Sequence, residues 1–205
     1  MRPFILRITV TVTAAFAALA IVAPSASASL VDGCPDTDAL QPFLPWGDQS
    51  WYVLAPDGGF EQGGGAWSLQ DGAMVVAGNE SFQVGGDGDS WSLSLPDGSR
   101  ATSADVCIGL DSPTMRFFAR NDGDPDASLG VSVIADTLLG PLTVPIGTVD
   151  GGHSSWHPTP ILPLLANLTA LPIVNDGTAS IRLRFTPHGG DWQIDDVYAD
   201  PWKGR

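Results

Sequence analysis

From Phe60 onward, apolar and polar positions alternate in short runs that are broken by clusters of turn-forming residues. The runs Ala66–Gln70, Ala73–Ala77, Ser81–Val84, Trp91–Leu95, Thr102–Ile108, Thr114–Arg120, Leu129–Asp136, Leu142–Ile146, Ser155–Leu162, Ser180–Phe185 and Trp192–Tyr198 read as strands. Between them stand turn signals such as Asp71-Gly72, Gly85-Gly86-Asp87-Gly88, Pro96-Asp97-Gly98, Asp122-Gly123, Asp176-Gly177 and Gly189-Gly190. Many short strands with closely spaced turns predict an all-β chain, a sandwich or jelly roll. Two runs have clear sidedness. In Ser180–Phe185, Ile181, Leu183 and Phe185 face one way while Arg182 and Arg184 face the other. In Thr114–Arg120, Met115, Phe117 and Ala119 alternate with Arg116, Phe118 and Arg120. Each predicts a strand with one buried and one solvated face. Pro160–Leu171 has room for one helical turn, limited by Pro160 and Pro163.

The chain before Phe60 is of a different kind. Residues 29–59 carry Pro35, Pro42 and Pro45 and no alternation, and read as an irregular strap. Its aromatics Phe43, Trp46, Trp51 and Tyr52 are expected to cover an end of the core. Residues 1–28 read as an export signal: Arg2 and Arg7, an apolar run Ile8–Val22, then Ala26-Ser27-Ala28. The run is shorter than the ~20 residues a spanning helix needs. Cleavage after Ala28 and a secreted, extracellular protein with no membrane span in the mature chain are the expectation. The domain layout is 1–28 signal peptide, 29–59 strap and 60–205 sandwich. Two cysteines in an exported chain predict a Cys34–Cys107 disulfide. It would close a loop of about 73 residues, worth about 4 kcal/mol in the chain-entropy account. Val31-Asp32-Gly33-Cys34 also loosely resembles a lipoprotein box, so free secretion and lipid anchoring at Cys34 both stay open, although Asp32 fits that box poorly.

Composition narrows the partners. Nine Lys and Arg stand against 23 Asp and Glu, a formal net charge of −14. Removal of Arg2 and Arg7 with the signal takes it to −16. A chain this negative does not suit a nucleic acid, whose phosphates need cations. Hydrophobic residues make up 43 % of the chain, which excludes a disordered acidic tail. Nearly all the acids are Asp, the residue of turns, and only Glu61 and Glu80 are Glu.

Phe60-Glu61, followed by glycines and Trp67-Ser68-Leu69, opens the domain, and Trp192-Gln193-Ile194-Asp195-Asp196-Val197-Tyr198 closes it. Together they resemble the end strands of jelly-roll carbohydrate-binding modules of the galactose-binding-like fold. Met115–Asn121 looks like their fourth strand and Ile181–Phe185 like their penultimate one. The resemblance spans residues 60–200 and is weakest in the middle. Pro45-Trp46-Gly47-Asp48, Ala77-Gly78-Asn79-Glu80, Arg116–Asn121 and Trp192–Tyr198 also look like uncharacterised secreted proteins of high-GC Gram-positive bacteria. That likeness implies export and fold only.

The carbohydrate-binding resemblance implies a structural Ca²⁺ held between the first and last strands, here by Glu61 with one of Asp195 and Asp196. Calcium takes six to eight oxygens. Neighbouring residues of a regular strand point to opposite sides, so Asp195 and Asp196 serve together only if a bulge intervenes. A sugar face is expected on aromatics and guanidinium groups: Trp91, Trp156 and Phe118, with Arg116, Arg120, Arg182 and Arg184 forming one basic patch if their two strands share a sheet. The opposing reading buries each aromatic and pairs each Arg with an Asp. Catalysis has little to stand on. His153 and His157 are four apart but lack the neighbouring Glu of a zinc helix, and Pro158 opposes a helix. No G-x-S-x-G elbow occurs. The reading is a non-catalytic binding module for an extracellular polysaccharide, with a protein-interaction or cell-surface module as the alternative and a hydrolase third.

Overall fold

The computed structural model describes residues 38–109, 113–122, 124–137, 139–164 and 178–200. The expected signal peptide, Cys34 and residues 165–171 of the expected helical turn lie outside them. Through the described residues run thirteen strands. They are β1 (Val53–Leu54), β2 (Trp67–Gln70), β3 (Met74–Ala77), β4 (Trp91–Leu95), β5 (Arg100–Ser103), β6 (Val106–Gly109), β7 (Thr114–Asn121), β8 (Ser128–Thr137), β9 (Gly140–Asp150), β10 (His157–Pro158), β11 (Leu162–Pro163), β12 (Thr178–His188) and β13 (Trp192–Asp200).

They form two antiparallel sheets. The first runs β10-β7-β13-β4-β3, with β1 on β13 and β11 on β7. The second runs β2-β5-β12-β8-β9, with β6 on β12. This is the all-β jelly-roll sandwich that the alternation predicts. Met115, Phe117, Leu93, Leu95 and Ile194 of the first sheet pack against Trp67, Val131, Val133, Leu183 and Phe185 of the second. Phe117 and Phe185 meet edge to face across the layer, centroids 5.0 Å apart. Among the described residues no helix is long and apolar enough to cross a membrane.

β12 follows its pattern, with Ile181, Leu183 and Phe185 buried and Arg182 and Arg184 outside. Three expectations need correction. Ser81–Val84 is no strand, because the buried Glu80 carboxylate accepts the amides of Phe82 and Val84 and curls the chain there. Thr102–Ile108 is two strands, β5 and β6, broken at Ala104-Asp105. Ser155–Leu162 contributes only the short edge pieces β10 and β11, its prolines having no amide for a ladder.

The strap departs further from expectation. It lies over the outer face of the first sheet, not over an end of the core. Phe43 and Tyr52 are fully buried against Phe118 of β7 and Tyr198 of β13, forming a second small core, while Trp51 stands 53 % exposed. The strap continues into the sheet: Leu54 pairs with Tyr198, and Val197 donates its amide to Gly58. β7 is therefore covered on both faces, and its predicted solvated side does not exist. Arg116, expected at the surface, is buried there. Its guanidinium lies over the Phe43 ring, 4.6 Å from the centroid, pairs with Asp48 at 3.0 Å and donates through Nε to the carbonyl of Thr159. Asp48 also accepts the Tyr52 hydroxyl at 2.8 Å and the Ser50 amide at 3.1 Å. Burial pushes the Asp48 carboxyl up, but these donors outweigh it and hold it below its ordinary value.

Removing one partner of a buried ion pair strands the other. Asp48→Ala takes the carboxylate from the buried Arg116 guanidinium, which keeps only the Thr159 carbonyl, and the acceptor from the Tyr52 hydroxyl, and a loss of about 3–5 kcal/mol is expected. Urea denaturation measures it. A loss below about 1 kcal/mol would mean that the strap is not locked by this pair.

Candidate functional site

β13 is where the site begins. From Trp192 to Asp195 it pairs with β7 in one register, Asp195 opposite Phe118; the pairing resumes one residue displaced, with Tyr198 opposite Arg116. The extra residue is a β-bulge, and Asp196 adopts the left-handed φ of 49° that accompanies it. The bulge the sequence reading made conditional is present, and both Asp195 and Asp196 are buried. Asp195 is spent on structure: its two oxygens accept the amides of Glu80 and Asp196, each at 2.9 Å. Asp196 turns toward the glycine turn at residues 85–88 and accepts the Gly85 amide at 3.1 Å. Asp89 reaches the same turn. A Cβ on Gly85 would stand 2.3 Å from the Asp89 carboxylate and 2.8 Å from that of Asp196, so only glycine fits between them.

Glu61 is not in a strand. It sits in the turn after Phe60, and its Oε1 accepts the amides of Ser90 at 2.7 Å and Trp91 at 2.8 Å, fixing the start of β4. Its charge adds to burial in raising Asp89 and, behind burial, Glu80 and Asp89, in raising Asp196. Two members escape the sequence reading. Glu80 entered only as the last residue of the Ala77–Glu80 motif, just ahead of the expected strand Ser81–Val84, and Asp89 lies directly after the turn run Gly85–Gly88. The one available signal was that Glu80 is one of only two glutamates in the chain. Five acids thus gather around one turn, and among the described residues none of them is in an ion pair. They line the turn and do not converge: no three of them already form a metal-binding group. Asp196 and Asp89 have oxygens free for a cation, with Glu61 beside them. Asp195 has its oxygens occupied, which shifts the expected trio.

Charge without a counter-ion shows in the titration. Burial, then Asp196, pushes Asp195 up to about 9. Burial, then Glu80 and Asp89, pushes Asp196 up to about 7. Burial also raises Glu80, against the amides of Val84 and Phe82 that favour its charged form.

The loop that these acids grip carries an aromatic outward. Phe82 lies tilted against Phe118, centroids 5.6 Å apart, and meets Trp46 of the strap edge-on at 4.9 Å. Phe118, expected as an exposed ligand contact, is fully buried and is instead the floor of this group, with Phe43 and Trp46 also on it. Above that floor Phe82 is 45 % exposed and Trp46 and Trp156 are half-buried. The Arg120 guanidinium lies over Trp156, 5.5 Å from its centroid, and pairs with Asp122 at 3.3 Å. His157 follows on β10, its ring 4.2 Å from that of His153. The fold thus brings Trp156 and Arg120 together as expected and adds Trp46 and Phe82, which the sequence reading left out. Trp91 is exposed at the start of β4, outside this group of rings. Arg182 and Arg184 are elsewhere. β7 and β12 belong to different sheets, so the expected single patch of four arginines does not form.

No protein-family model matches the chain, and neither does any curated protein. Solved structures do. A family 22 carbohydrate-binding module joined to the xylanase 10B catalytic module of Clostridium thermocellum, complexed with xylohexaose, matches at a TM-score of 0.50 and 15 % identity, over 77 % of this chain and 30 % of that one. A family 61 module in complex with β-1,4-galactotriose matches at 0.46 and 18 % identity, over 73 % and 98 %. A xylan-binding domain of family 22 matches at 0.47 and 12 %, over 77 % and 99 %. At these identities the likeness is one of fold.

Because Asp195 and Asp196 hold their protons more tightly when folded, the unfolded chain binds fewer protons over this range and stability falls as pH rises. The clean window is pH 7 to 9. Below it His157, which burial and His153 hold below its ordinary value, works in the opposite sense. In EDTA, the melting temperature is expected to drop by roughly 3–8 °C from pH 7 to pH 9. A flat or rising profile in thermal scans would contradict the buried charge.

Proposed function

We propose that this is a non-catalytic carbohydrate-binding module whose ligand lies on the aromatic shelf of Phe82, Trp46 and Trp156, with Arg120 beside it. The observation that carries the reading is that shelf: three partly exposed rings packed on one small buried aromatic cluster, next to a guanidinium, on the face of a jelly-roll sandwich. Sugar rings stack on such faces and their hydroxyls take polar neighbours. The solved modules of similar fold were complexed with β-1,4-galactotriose and xylohexaose, which makes β-1,4-linked glycans the first ligands to try.

The proposal includes a structural Ca²⁺ at the acid cluster. Asp196 and Asp89 would hold it, with Glu61 and the carbonyls of the 85–88 turn as further oxygens. The fit rests on the buried Asp196 beside the half-buried Asp89 and Glu61, none of them in an ion pair among the described residues, a charge that a divalent cation would neutralise. Bound there, the ion would secure the loop that carries Phe82. Export by residues 1–28 and a Cys34–Cys107 disulfide complete the reading. Cys107 is not free. A second reading, docking of another protein on the strap, is favoured by its exposed Leu40, Leu44, Trp51 and Leu54.

Affinity electrophoresis in gels containing β-1,4-galactan or xylan tests the shelf. Retardation is expected in at least one gel, and Trp156→Ala or Phe82→Ala should weaken it by about fivefold or more, as a lost stacking contact does. Retardation that survives both substitutions would remove the shelf as the site. For calcium, the melting temperature should rise with added CaCl₂ and fall in EDTA, by about 2.7 kcal/mol of stability at a hundredfold excess over Kd. A melting temperature indifferent to both would remove the ion from the proposal.

A further inference from the structure

The outer face of the second sheet is built differently from the shelf. Arg184 stands in the middle of β12, with Thr102 of β5 and Ser132 of β8 opposite it. One step along, Arg100 of β5 lies next to Gln70 of β2 and, by the same register, across from Thr186. Arg182 is the third cation of the group and is engaged by Asp136 at 2.7 Å and Asp105 at 3.8 Å. The floor between these side chains is low. Gly130 faces Thr186, and a Cβ there would come within 3.3 Å of the Thr186 carbonyl and 3.4 Å of the His188 ring. The result is an open sheet surface of small hydroxyl-bearing and glycine positions, bordered by Arg100, Arg184 and His188.

In a chain with 23 acids, an arginine on a sheet face should have a carboxylate beside it. Arg184 and Arg100 have none within 4 Å among the described residues. Among the described residues Arg184 reaches only the Thr102 hydroxyl at 3.3 Å, and Arg100 only the Gln70 side-chain Oε1 at 3.4 Å. Burial and the nearby charges of Arg100 and Arg182 disfavour the Arg184 cation, so a carboxylate brought from outside would relieve a standing repulsion. Guanidinium forks match carboxylates in a bidentate way, and hydroxyls match sugar hydroxyls.

We propose that this face binds a polyuronate, a polysaccharide with carboxylate-bearing sugars. Arg184 and Arg100 hold its carboxylates, and Thr102, Thr186, Ser132 and Gln70 take its hydroxyls. The proposal leans on the carbohydrate-binding reading for the class of ligand, but it uses a separate face and separate residues. The chain's overall negative charge opposes a polyanion at long range. That repulsion is screened beyond ~8 Å at physiological salt, whereas contact pairs are screened far less.

The experiment is affinity electrophoresis of the full chain in gels containing polygalacturonate, dextran sulfate or the neutral galactan or xylan used for the shelf, at physiological salt. Polygalacturonate should retard the wild type more strongly than dextran sulfate. Arg184→Gln combined with Arg100→Gln should weaken that retardation at least tenfold. Arg184→Lys, which keeps the charge and loses the fork, should weaken it less. Trp156→Ala should leave it unchanged while reducing retardation by the neutral glycan. Melting temperatures verify that each variant is folded, and Arg184→Lys keeps the test open if the double variant is not. The proposal is overturned by no retardation in polygalacturonate, by equal retardation in dextran sulfate, or by retardation that Arg184→Lys leaves at wild-type strength. It is also overturned if Trp156→Ala abolishes polygalacturonate binding, a result that would move the acidic ligand to the shelf and leave the carbohydrate-binding reading standing. Loss of the neutral ligand alone would strike the shelf and spare the arginine face.

Discussion

One extra residue in β13 governs the first sheet's outer surface. It forces two consecutive carboxylates into the same buried space, where a regular strand would have sent them to opposite sides. Their proximity has to be offset by something. Asp195 is offset by two backbone amides, one of them Glu80's. That bond ties the loop after β3 to the middle of β13, and the Glu80 carboxylate then collects the amides of Phe82 and Val84. Phe82 is placed at the end of this chain of hydrogen bonds. The surface ring therefore depends on charges buried several bonds away.

The strap works from the other side by different means. Phe43 and Tyr52 cover the apolar part of β7, and the Asp48–Arg116 pair locks them against it. Trp46 emerges beside Phe82 as a result. Two connecting segments, one fixed by a buried salt bridge and one by buried carboxylates, thus meet over Phe118. The two sheet faces end up with opposite characters. The first is aromatic, its partly exposed Arg120 guanidinium already paired with Asp122, and the second is hydroxyl-lined and cationic.

Much of the fold was legible in the sequence, because alternation is local. Leu183 and Phe185 inside with Arg182 and Arg184 outside is written into six consecutive residues. β7 carried the same signal and misled. Its outer face is covered by residues about seventy positions earlier, and nothing within the strand announces that. Ser81–Val84 misled for a related reason: a carboxylate at Glu80 competes for the amides that a strand would need. At the site, Asp195 and Asp196 stood out as an acidic pair, but the bulge that decides their fate leaves no mark in residue spacing. Asp89 was hidden because an aspartate in a glycine-rich run is ordinary turn chemistry. Arg100 was missed because the position that matters is its neighbour on β12, eighty-odd residues away.

The pairing of β1 with β13 has a consequence for how the chain comes to be folded. Leu54 and Tyr198 lie side by side although 144 positions separate them, and β7 is held between β13 and the strap's aromatics. The floor under the shelf cannot assemble until both distant segments are present, so a partial chain exposes Phe118 and Arg116 to water. Closure over such a span is slow, since the entropy of a long loop is lost before its contacts form.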